Sequence, residues 1–213
     1  METLRLVYHA GKVRLGFLIM ACALAGLAVS PGGELAAWQV LVLGVATLLS
    51  SAAAGAFNQL WERDLDRGMK RTRERPFATG RFAATGAWYA GIVLVVLLSV
   101  VATALATNVT AALYIFLGAF TYGVVYTVWL KRYSTWNIVV GGLAGSFAVL
   151  AGAAAVDPGP QLFPVVLAPA LLLWQRRSGD GRPWRDSLFG AAVVAVGTAP
   201  FLLVGAQGVW NML

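Results

Sequence analysis

The sequence predicts an all-α polytopic membrane protein of about seven transmembrane helices. Three observations carry this. Hydrophobic residues make up 59% of the 213-residue chain and charged residues only 12%, with a mean hydropathy of +0.75. Soluble domains stay near about 45–50% apolar even with glycine counted, and a disordered chain is poorer still. The apolar residues also form long uncharged runs, each the length a bilayer-crossing helix needs. Finally, the charges are confined to alternate connections between those runs. The runs are too long for barrel strands and lack their alternation.

The spans follow in order, at about residues 15–33, 36–60, 83–106, 109–130, 134–156, 159–175 and 187–209. The uncharged stretch from 82 to 130 is too long for one helix and divides at the polar, turn-prone Thr107-Asn108. The sixth span is entered through Asp157-Pro158-Gly159-Pro160. The first is read as an uncleaved anchor and not as a signal peptide, because six more spans follow. Together they form one domain, residues 1–213.

All 16 Lys and Arg lie in the N-terminal tail (5, 12, 14) or after the second (63, 67, 70, 71, 73, 75, 81), fourth (131, 132) and sixth spans (176, 177, 182, 185). The connections at 31–34, 108 and 157–160 contain none. Those basic segments share one side if every span crosses. The positive-inside rule puts them in the cytoplasm, here of a bacterial inner membrane. The net charge of +7 is thus a topology signal that calls for no nucleic acid. Cys22 and His9 are the sole residues of their types, so no disulfide or multi-histidine metal site forms within the chain.

The chemistry concentrates at the end of the second span. Asn58, Glu62 and Asp66 are spaced i, i+4, i+8 and share one helical stripe, with Asp64 in the same turn. Three carboxylates and a carboxamide are expected to converge there. Their mutual repulsion is relieved by a divalent cation, and oxygen-only ligands suit Mg²⁺. The basic residues that follow suit phosphate oxygens. The alternative is that Glu62, Asp64 and Asp66 pair with neighbouring arginines and mark a solvated helix end. A buried Asn58 one turn deeper weighs against that.

Asn58-x3-Glu62-x-Asp64-x-Asp66 resembles the first acidic motif of the UbiA-type intramembrane prenyltransferases. Met69-Lys70-Arg71-Thr72-Arg73-Glu74-Arg75-Pro76, with Thr79-Gly80-Arg81, is similar to the heme O synthase (protoheme IX farnesyltransferase) branch. Lys12-Val13-Arg14 and the block from Tyr126 through Leu130-Lys131-Arg132 to Gly145 agree with it. The likeness covers about residues 8–156. Beyond that, the family's Pro-Pro-His segment is absent, Asp180 and Asp186 stand where its second acidic motif belongs, and the bundle is expected to lack the family's last two helices.

The resemblance implies a Mg²⁺-dependent transfer of farnesyl from farnesyl diphosphate to heme b. Metal ligands would be Asn58, Glu62 and Asp66, with Asp180 and Asp186 on a second site. Asp64, Asp66 and Tyr126 would be catalytic, and Arg67, Lys70, Arg71, Arg75, Lys131 and Arg132 would contact the diphosphate. Downstream heme-handling membrane proteins are implied partners, and the lipid bilayer is the surrounding medium. Prenylation of an aromatic quinone precursor is one alternative reading. A non-catalytic paralogue or assembly partner is another. A retinal protein is disfavoured, since the seventh span has no lysine.

Overall fold

The computed structural model describes residues 2–30, 32–131 and 137–158; the predicted spans at 159–175 and 187–209 lie outside them. Every regular element among the described residues is helical. A short helix α1 (Glu2–Ala10) leads into α2 (Val13–Val29), then α3 (Ala37–Trp61), α4 (Arg63–Gly68), α5 (Gly86–Ala106), α6 (Val109–Phe120), a π-helical segment (Thr121–Leu130) and α7 (Asn137–Val156). Helix α3, helix α5 and the continuous rod Val109–Leu130 are each long and apolar enough to cross a membrane. The five spans expected within the described residues each have a helix, with ends shifted by a few residues. Helix α1 was not expected: a stretch read as a tail is an amphipathic helix instead.

The helices alternate in direction. At one end the α1–α2 turn, the α3 C-terminus and the end of the π segment meet through Lys12, Asn58, Glu62 and Lys131. At the other, Gln39 Nε2 donates to the Ala106 carbonyl (2.5 Å), and Asn108 Nδ2 donates to the Ala154 carbonyl (2.7 Å). Asn108 Oδ1 also accepts from the Ala111 amide (2.9 Å), capping α6. Carbonyls left over at helix ends thus find side-chain partners, as a membrane interior requires. The basic connection and the uncharged ones fall at opposite ends, the arrangement the charge pattern predicts.

Small residues set the packing. Helix α3 is the most buried, through Ala46, Ala53, Ala54, Gly55 and Ala56. Leu43, Ala46, Ala111, Ile115, Leu150 and Ala151 meet in the core. Helix α5 instead turns Val93, Leu94, Leu97, Leu98, Val101 and Leu105 outward, a face suited to lipid. The closest approach joins α2 to α7: a Cβ on Gly152 would stand 1.8 Å from the Ala23 carbonyl oxygen, and one on Gly26 2.2 Å from that of Val149. This small-residue contact is the usual device for packing helices in lipid. Gly141 makes room for the Tyr126 ring, and Gly145 faces Ile19.

Gly152→Val forces this backbone contact apart and should lower the melting temperature in detergent. The expected cost is about 1–3 kcal/mol or more. Gly142→Ala, where an added Cβ meets nothing within 4 Å, should melt like the wild type.

Candidate functional site

The site is built on the last two turns of α3. Ala52 and Gly55 have small side chains, so the α1–α2 turn lies directly on α3. A Cβ on Gly55 would reach 2.8 Å from the Gly11 carbonyl oxygen. The turn places Lys12 in the left-handed region (φ 48°, ψ 44°), unusual for a side-chain-bearing residue. From there Lys12 Nζ donates to Asn58 Oδ1 (2.6 Å) and to the Tyr122 hydroxyl (3.0 Å). Burial, then the charges of Arg75 and Lys131, lower the Lys12 pKa to about 8.

Asn58 is fully buried. Its Nδ2 donates to Glu62 Oε2 (3.1 Å) and to Thr127 Oγ1 (3.1 Å), so all of its polar atoms are engaged. Glu62 also accepts from Lys131 Nζ. The helix breaks at Glu62 (φ −93°, ψ 4°), yet the Glu62 amide still bonds to Asn58 O and the Asp66 amide to Glu62 O. The stripe therefore survives the break: Asn58, Glu62 and Asp66 are all buried.

Lys131 reaches this face because of the π segment. Its i→i+5 bonding adds nearly a residue to the roughly 3.6 of an α-helical turn. The nine residues from Tyr122 to Lys131 then make about two turns instead of two and a half, so both side chains point to one side. The Thr127 hydroxyl donates to the Tyr122 carbonyl (2.9 Å), and the Lys131 amide to that of Tyr126 (2.9 Å). In an α-helix Tyr122 and Lys131 would face opposite ways.

Residues 69–85 fold back over Asp66. Arg75 Nη1 donates to both Asp66 oxygens (2.9 and 2.7 Å), and the buried Thr72 hydroxyl donates to the Asp66 carbonyl (3.3 Å). Phe77 anchors the loop against Phe82 and Trp88, with ring centroids 5.6 and 5.0 Å away. The expected convergence of three carboxylates is corrected to two. Asp64 is exposed and turns to Arg63 (3.7 Å) and Arg67 (3.2 Å), because a residue two places from Glu62 and Asp66 points off their stripe. Glu62 and Asp66 avoid mutual repulsion by taking one cation each. Lys131 is 69 residues from Glu62, unlike the local pairing of a solvated helix end, and Arg75 comes from the loop nine residues beyond Asp66.

Above these residues opens a cavity of about 1060 Å³. Its wall is cationic, with Arg5, Lys12, Arg71, Arg75, Arg81 and Lys131 against Glu74 alone. Tyr126 also lines it, with Lys131 Nζ 5.7 Å from the ring centroid. Arg67 and Lys70 do not line it. Arg67 instead donates through Nε to the Ala78 carbonyl (2.9 Å). Arg132, Asp180 and Asp186 lie outside the described residues. On the membrane side of Tyr122 is a second, smaller cavity of about 110 Å³, lined by Leu15, Ile19, Ile115, Ala144 and Ala148 among others. Thr47, Ser50, Ser51 and Tyr114 also line it; the Thr47 and Ser50 hydroxyls bond to carbonyls of their own helix (2.7 and 3.2 Å), and the lining is mainly apolar. Lys12, Tyr122 and Thr127 were not among the residues expected to form the site; Lys12-Val13-Arg14 signalled the first and the block that starts at Tyr126 contained the last, while nothing marked Tyr122.

Asp66→Asn removes the charge that holds Arg75 and the loop. Breaking a buried pair costs about 3–5 kcal/mol, less here because Arg75 keeps some solvent contact. Trypsin cleavage after Lys70, Arg71 and Arg73 should accelerate roughly tenfold or more, while cleavage after Arg14 stays unchanged.

Comparison with known proteins agrees with this architecture. The model of the UbiA prenyltransferase family matches residues 19–176. The chain is 50% identical over 171 residues to Protoheme IX farnesyltransferase 2 of Paramagnetospirillum magneticum, covering 80% of this chain and 59% of that protein. It is 54% identical over 138 residues to Protoheme IX farnesyltransferase 1 of the same organism, covering 63% and 47%. Protoheme IX farnesyltransferase of Acidiphilium cryptum is 37% identical over 199 residues, 92% of this chain and 60% of the relative. The chain thus spans about half to three-fifths of the length of these relatives. No solved structure matches it. On the family match, which takes in all of α3, the basic loop and α5 to α7, this chain belongs to the UbiA prenyltransferase family.

Proposed function

We propose that the chain transfers a farnesyl group from farnesyl diphosphate to heme b, with the cationic cavity holding the diphosphate and the apolar one receiving the prenyl tail. The observation that carries this is that Lys12, on the wall of the cationic cavity, donates to the hydroxyl of Tyr122, on the wall of the apolar one. An amphiphile with an anionic head and a hydrocarbon tail matches that polarity. The names of the similar proteins supply the farnesyl group and the heme.

Asn58, Glu62 and Asp66 would hold Mg²⁺. Their donors are all oxygens, buried on one stripe. Two carboxylates and a carboxamide leave places for water and phosphate oxygens, as Mg²⁺ prefers. When bound, the cation neutralises charge on the departing diphosphate. Arg71, Arg75 and Lys131 provide further contacts to phosphate oxygens. Arg67 and Lys70 add positive charge to the surface beside the cavity, Arg132 would be a further phosphate contact, and Asp180 with Asp186 would serve a second cation. Tyr122 and Tyr126 turn aromatic faces toward the place where the allylic carbon loses its leaving group. They shelter positive charge from water and steady it. The electron-rich acceptor is a vinyl group of heme b. Asp64, exposed and paired with arginines, acts at most through Arg67. The basic end faces the cytoplasm of a bacterial inner membrane, as its lysines and arginines favour, and the product passes to downstream heme-handling membrane proteins.

Membranes containing the chain, given farnesyl diphosphate, heme b and Mg²⁺, should yield a more hydrophobic heme whose mass reports the added prenyl group. Asp66→Ala should lower the yield by about 100-fold or more, and a chelator should abolish it. A prenylated phenolic acid, with heme unchanged, overturns the acceptor assignment. No product where a similar farnesyltransferase is active overturns the reading.

A further inference from the structure

Each of the three residues of the proposed cation site already faces a positive side chain. Lys12 stands on Asn58, Lys131 on Glu62 and Arg75 on Asp66. The same three cations line the large cavity. Lys12 is the distinctive one. Its backbone is the only left-handed non-glycine conformation among the described residues, and such strain persists where the surroundings enforce it. It bonds to a neutral carboxamide and a phenol, partners that hold an ammonium less firmly than a carboxylate does.

Resting on the diphosphate reading above, we infer that Lys12 is a further diphosphate-binding residue that occupies the cation site in the meantime. It holds Asn58 Oδ1 until a divalent cation takes that oxygen, and then moves onto the phosphate oxygens. The charges support the exchange. Glu62, Asp66, Lys12, Lys131 and Arg75 sum to one positive charge. Adding a divalent cation alone raises that sum to three positive charges in a partly buried space, and a diphosphate restores the balance. Lys12 therefore competes with the bare cation and assists the cation–diphosphate pair. The two ligands bind with positive coupling, equal in both directions.

The test uses the full chain in detergent, with Mn²⁺ alone (free ion read by electron paramagnetic resonance) and the Mg²⁺–pyrophosphate complex (read by calorimetry). Lys12→Met should bind Mn²⁺ alone about tenfold more tightly and Mg²⁺–pyrophosphate about tenfold more weakly. Lys12→Arg, which keeps the charge, should restore pyrophosphate binding to within about threefold of the wild type. Tyr122→Phe removes one of the two groups that hold Lys12 in place. It should tighten Mn²⁺ binding and spare pyrophosphate, and it decides the question if Lys12→Met does not fold. A purely structural lysine predicts both affinities falling together in Lys12→Met, and that result, or no change in either, overturns the inference. A wild type that binds no Mg²⁺–pyrophosphate overturns the diphosphate reading with it. A wild type that binds it but prenylates no heme overturns only the acceptor.

Discussion

Asn58 has no solvent around it, and every polar atom of its side chain must find a partner inside the bundle. Lys12 meets its oxygen, and Glu62 and Thr127 meet its nitrogen. These partners come from the α1–α2 turn, the end of α3 and the π segment. One carboxamide therefore ties together three parts of the chain that are 46 and 69 residues away from it or one turn along the same helix. An unpaired polar group at this depth costs several kcal/mol by general estimates of about 2–7. That cost makes the arrangement cooperative. The small residues under the α1–α2 turn are needed because Lys12 must come this close, and the π segment is needed because Tyr122 and Lys131 must face the same way.

The same logic shapes the cap. Asp66 sits where water is scarce, and its charge is met by a loop that returns over it. Phe77 supplies the loop's apolar anchor among Phe82 and Trp88, while Arg75 supplies the countercharge. A segment with the composition of a solvated surface run is thereby an ordered roof. Its exposed cations, Arg71 and Arg81, are held at the rim of the cavity without any partner strand or helix of their own.

The parts legible from the chain alone are those governed by short periods. The spans follow from uncharged length, and the alternation of basic connections gave their direction. The i, i+4, i+8 stripe of Asn58, Glu62 and Asp66 could be read because helical phase persists through the break at Glu62. Asp64 was misplaced by treating closeness along the chain as closeness in space. Lys12 was visible in a motif, but its reach to Asn58 depends on a left-handed turn at Lys12 itself, one residue past the glycine that would ordinarily adopt it. Lys131 was placed near the phosphate by likeness. Its actual direction needs i→i+5 winding, and nothing in Thr121–Leu130 marks that winding in advance.

That winding separates two tasks that one α-helix could not combine. The part of the rod in α6 keeps Tyr114 and Ile115 on the core, in the ordinary phase set by packing against α3 and α7. The π segment then shifts the phase by nearly a residue per turn, and it does so without a proline. The rod works like a vernier scale, with its two ends ruled at different intervals. Packing at the buried end and aim at the basic end can each be adjusted without disturbing the other.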